Sequence, residues 1–128
     1  MELEDKMLLI KDLSARLPYA VHVQHTSGFS GTLHDLHTHH KYDENDDVYD
    51  IICFTNFFGD DDYIDIEYFK PYLFPLSSMS EEERIAIGNE FAYGHPHKAM
   101  DILHKRHIDY RGLIPKGLAI DATGKNVY

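Results

Sequence analysis

The stretch IDIEYFKPYLFPLSSMS, residues 64–80, is where the sequence changes from strand-like alternation to helical periodicity. Ile64 and Ile66 alternate with Asp65 and Glu67, the period of a half-buried strand. Pro71 and Pro75 lack a backbone donor and push the residue before each towards extended geometry, so Tyr72, Leu73, Phe74 and Leu76 read as a short extended edge. Ser80 precedes three glutamates, and its spacing to Glu83 is that of a capping box, in which each side chain satisfies the other residue's free N–H. This predicts a helix beginning at Glu81.

At 128 residues the chain fits one domain, 1–128, able to bury a core without metals or disulfides. Its single cysteine, Cys53, excludes an intrachain disulfide and a multi-cysteine zinc site. No basic leader with an apolar core and no membrane-length apolar run is seen, so no membrane partner and a cytoplasmic location are expected. The net charge of −10, from 22 acidic and 12 basic residues, disfavours duplex nucleic acid, whose binding relies on cation contacts to phosphate. Ten histidines would cancel that charge if all were protonated, so the electrostatics depend on pH between about 5 and 7.

Before residue 64 the chain reads as a helix followed by short strands. Leu9, Ile10, Leu13 and Leu17, with Leu8 at the flank, recur at spacings of three and four, predicting an amphipathic helix that Pro18 ends. In residues 20–24, Val21 and Val23 share one strand face. Residues 26–31 read as a turn and residues 32–38 as the returning strand, with a bulge to reconcile Leu33 and Leu36. HHKYDENDD, residues 39–47, has no aliphatic residue and reads as a solvated loop or long hairpin tip. Ile51, Ile52, Cys53 and Phe54 are apolar on both faces, which suits a central strand. After Ser80, the residues Arg84, Ile85, Ile87, Gly88, Phe91 and Ala92 fall on one broad helical side, opposite Glu82, Glu83, Asn89 and Glu90. A second helix follows Pro96, with Ala99, Met100, Ile102 and Leu103 as its apolar side. From Asp109 onward an irregular tail is expected to pack back.

LSARLPYAVHVQ (13–24), IEYFKPYLFPLSSMSEEE (66–83) and DYRGLIPKGLAID (109–121), in that order, resemble a family of small uncharacterised proteins encoded in phages, prophages and mobile elements of gut Bacteroidetes. The family usually has Gly where this chain has Ala20, and Arg where it has Phe74. The resemblance implies a genomic setting rather than a chemistry, because it carries over no catalytic residue.

Several motifs invite chemistry. His34, His37, His39 and His40, with Asp35 among them, are weak candidates for a transition-metal site, since His37 and His39 point the same way on a strand. They lack the fixed spacing of zinc motifs, so no metal or other cofactor is expected. The runs at residues 43–47 and 60–62 invite calcium without matching an EF-hand loop. Cys53 sits among apolar neighbours, which favours core packing over nucleophilic chemistry. His104 and His107, with Asp101 a turn earlier, have a metal-compatible spacing, although a structural role suits them better. Phe57 and Phe58 beside Gly59, with Tyr63, are either a protein-binding patch or a plug of the core.

The expected architecture is α+β: an N-terminal helix (1–18), a small SH3-like antiparallel β-barrel (19–76) and C-terminal helices (80–128) packed on one side. The functional expectation is a non-enzymatic accessory protein of a phage or mobile element that binds another protein through loop aromatics. One alternative is an acidic nucleic-acid mimic that inhibits a host nucleic-acid enzyme. Another is a metal-dependent enzyme using the histidines of residues 34–40.

Overall fold

The computed structural model describes residues 1–56 and 63–128. The fold is α+β, with an N-terminal helix, antiparallel strands and C-terminal helices, in two compact units, Met1–Pro71 and Tyr72–Tyr128.

In the first unit, α1 (Leu3–Arg16) buries Leu9 and Leu13, as the spacing predicts, and packs against β4 (Val48–Asn56). Asp12 and Arg16 are also fully buried. At one turn's spacing they share the helix side of Leu9 and Leu13, and Arg16 Nε donates to Asp12 Oδ2 at 2.9 Å while Nη2 donates to Oδ1 at 3.1 Å. After α1 a 3₁₀ turn ends at Ala20, whose φ of 55° lies in the left-handed region that glycine favours. Ala20→Gly is therefore expected to raise stability in thermal melts by about 0.5 kcal/mol, relief of strain exceeding the extra freedom given to the unfolded chain.

β1 (His22–His25) pairs antiparallel with β2 (Ser30–Thr32) and with the start of β6 (Phe69–Pro75). The returning strand predicted over residues 32–38 is not continuous. β2 ends at Thr32, buried Leu33 still donates its N–H to Val21 O, and no regular structure links it to β3 (His37–Tyr42). β3, β4 and β5 (Tyr63–Asp65) then form a separate antiparallel sheet with β4 in the middle. With that break at residues 33–36, the described strands of 19–76 belong to two open sheets instead of the closed barrel read from the sequence.

β6 is not the edge that its prolines predict. In the first unit Pro71 stands opposite Val23 of β1, and in the second β6 takes parallel partners in β7 (Ile108–Asp109) and β8 (Ile120–Asp121). The prolines are tolerated because other residues make the ladder: Phe74 N donates to His107 O, and Leu73 O accepts from Ala122 N.

The second unit packs Ile87 of α2 (Glu81–Ala92) with Ala99 and Leu103 of α3 (Pro96–Lys105) and with Ile108. The capping box is present: Ser80 Oγ accepts from Glu83 N at 3.1 Å and Glu83 Oε1 accepts from Ser80 N at 3.3 Å. Ser80→Ala is expected to cost about 1 kcal/mol in equilibrium unfolding, because a helix-end donor loses its partner. α2 is turned differently from the predicted orientation. Its inward side is Ile87 flanked by half-buried Glu83 and Glu90, while Ile85 and Phe91 face outward. Glu83 Oε2 accepts from the exposed Arg106 Nε at 2.8 Å, and Glu90 Oε2 lies 3.3 Å from His95 Nδ1.

Candidate functional site

The β3–β4 hairpin carries the most distinctive surface of the first unit. Every residue from 37 to 49 is exposed, on both strands and through the tip. Its sequence explains this, since HTHHKYDENDD offers no aliphatic side chain with which to bury either face.

The hairpin is nevertheless well built. Asp43 organises the tip: its Oδ1 accepts from Asn45 N at 2.8 Å and from Asp47 N at 3.0 Å, and its own N–H donates to Asp47 O. Asp46 holds a φ of 62°, a conformation that short polar side chains tolerate. A register shift between Lys41 and Tyr42 brings Tyr42 opposite Val48. Tyr42 and Tyr49 are each 58% exposed, so two aromatic rings border a tip bearing Asp43, Glu44, Asp46 and Asp47. The base is anchored by Lys6 of α1, whose Nζ donates to Asp50 Oδ1 at 3.0 Å. That bond raises the Lys6 ammonium above its ordinary pKa and lowers the Asp50 carboxyl below its own, with Ile51 N–H as a second donor to Asp50. Beside the hairpin, Met7, Ile10 and Lys11 of α1 and Thr38, His40 and Ile51 line an open groove of about 210 Å³. β3 is the outer strand, and among the described residues it pairs with β4 alone.

The residues singled out from sequence fall as follows. His37 Nε2 lies 3.2 Å from Asp35 Oδ2, and the His40 ring stacks near Tyr42 at 6.4 Å. Register places His37 and His39 opposite Phe54 and Ile52, while His40 stands opposite Ile51. No group of three metal-ligating side chains gathers among the described residues, so His34, His37, His39 and His40 are not brought together. Cys53 is buried, and burial, with Asp65 adding a like charge, pushes its thiol up to about 11, which leaves it a poor nucleophile. His107 is not on the helix with His104. It lies beyond α3 with a φ of 56°, its ring stacked on Tyr128 at 3.7 Å, while His104 Nε2 sits 2.6 Å from Tyr110 Oη. Phe57, Phe58 and the acids of 60–62 lie outside the described residues, and the backbone of Tyr63 pairs with Asn56.

Two buried polar devices were missed. The Asp12–Arg16 pair was visible as a helical spacing on the apolar side of α1. Asp109, buried at the end of β7, accepts from Leu113 N and Ile114 N, each at 2.9 Å, and so closes the turn that follows. Comparison with protein-family models, curated proteins and solved structures finds no match to the chain. No helix among the described residues is long and apolar enough to cross a membrane.

Proposed function

We propose that the protein is a non-enzymatic accessory protein of a phage or mobile element, acting in the cytoplasm by binding another protein through the β3–β4 hairpin. The observation that carries this reading is the hairpin's exposure on both faces, which leaves Tyr42 and Tyr49 in water beside a strand edge that has no neighbouring strand among the described residues. Rigid aromatic rings give large contact area at low entropic cost, and an unpaired edge offers backbone hydrogen bonds to an extended segment. The acidic tip favours a partner whose contact surface is rimmed by lysine and arginine. The phage or mobile-element setting rests on the resemblance of the three sequence blocks.

A second reading is favoured by the tip itself: four carboxylates on a projecting arm of a chain with net charge −10 suit a mimic of nucleic-acid phosphates. Capture from a lysate of the source bacterium separates the two. With Tyr42→Ser and Tyr49→Ser together, the protein-binding reading expects the captured partner to fall by about tenfold, with no change in melting temperature. The mimic reading expects that variant to bind as before, and Glu44→Gln, Asp46→Asn and Asp47→Asn together to abolish a strongly salt-dependent capture.

A further inference from the structure

We propose that the second unit holds a binding cavity for a small organic anion that carries a flat ring, set among the C-terminal end of α3, β7 and the turn after β8. The cavity, of about 480 Å³, has Phe74, Lys105, Arg106, His107 and Tyr128 in its lining, and among the described residues no acidic side chain lines it. That volume lies in the range of about 300–1,000 Å³ usual for small-ligand sites. Charge sets the cavity apart from the rest of the chain. Tyr72–Tyr128 carries seven acidic and seven basic residues, so the net charge of −10 resides in Met1–Pro71. At the cavity Arg106 is bonded to Glu83, while Lys105 enters no ion pair among the described residues and supplies the uncompensated cation. Cations at the end of α3 also complement the helix dipole, but that role asks for no cavity beside them.

The wall that would take a ring is Tyr128. It stacks on buried His107 at 3.7 Å, packs against Phe74 at 6.0 Å, and donates its hydroxyl to Tyr72 O at 2.7 Å, so the ring is fixed before a ligand arrives. It is nevertheless 46% exposed. A ring already held in place costs a ligand little ordering, and a flat group laid against it leaves the anionic end to Lys105. The hydroxyls that line the cavity are already used: Ser78 Oγ donates to Pro75 O, and Thr123 is bonded to Asp121. Charge and ring, rather than the hydroxyls of a sugar, are therefore what the cavity reads. An aromatic carboxylate and an aryl phosphate share that chemistry.

Titration of the full chain with benzoate and with phenyl phosphate, followed by amide shifts in NMR spectra, tests this. At least one of the two is expected to saturate and to move the amides of residues 105–108 and 124, and the tighter binder names the anionic group. Benzyl alcohol lacks the charge and inorganic phosphate lacks the ring, so each should bind at least about tenfold more weakly. Lys105 is exposed, so Lys105→Glu should leave the melting temperature unchanged while weakening binding at least about tenfold. Lys116→Glu makes the same charge change outside the cavity and should leave binding as it was. The absence of a saturable shift with either probe at about 10 mM overturns the proposal. So does binding that Lys105→Glu leaves intact, or that Lys116→Glu weakens equally. Inorganic phosphate binding as tightly as phenyl phosphate also overturns it, because the ring would then contribute nothing.

Discussion

Asp12→Ala is expected to lower the stability of the first unit by about 3–5 kcal/mol, the largest effect of any single substitution considered. Both members of the Asp12–Arg16 pair are fully buried, and two hydrogen bonds join them. Removing the carboxylate takes two charge-assisted hydrogen bonds from a guanidinium in a site water does not reach, and the desolvation cost already incurred is less fully offset. A domain of ordinary stability has about 5–15 kcal/mol in all, so the variant should be near the edge of folding. Replacing both partners with apolar residues of similar size, Asp12→Leu with Arg16→Met, should recover most of the loss. Urea denaturation measures both. A single-variant cost under about 1 kcal/mol would show that the pair behaves like a surface ion pair.

Asp109→Ala should cost about 3 kcal/mol in the second unit, since two backbone donors lose a charged acceptor and Leu113 N is buried. Asp109→Asn keeps one acceptor oxygen and should cost about half as much. The loss should appear as faster amide exchange at Leu113 and Ile114 before any other part of the unit is affected. Unchanged exchange at those two amides would mean that the turn is held by the burial of Leu113 and Leu118 instead.

The elements legible in the sequence are those set by local chemistry. Ser80 and Glu83 define the start of α2, Leu9 and Leu13 define the buried side of α1, and alternation puts Val21 and Val23 inside. What was not legible depends on partners distant in sequence. β7 and β8 are two residues each, too short for alternation, so nothing local announced that they would flank β6 and make it central despite Pro71 and Pro75. The turn of α2 also depends in part on a distant partner: Arg106 bonds Glu83 on the side that the apolar count had given to water, where Glu90 lies beside His95. Asp12, Arg16 and Asp109 were hidden by the habit of reading charge as surface, although the turn spacing of the first two put them beside Leu9 and Leu13. At the candidate site, the solvated character of 39–47 was plain from composition. Its regular pairing was not, since histidine, lysine and aspartate carry no strand signal.

Amide hydrogen exchange on the complex with a captured partner tests the binding role of the hairpin most directly. The β3 amides that face away from β4 should exchange rapidly in the free protein, where the outer edge has no strand beside it among the described residues. Adding the partner should slow exchange most within residues 37–49. Protection that falls elsewhere and leaves 37–49 as fast as in the free protein would contradict the assignment.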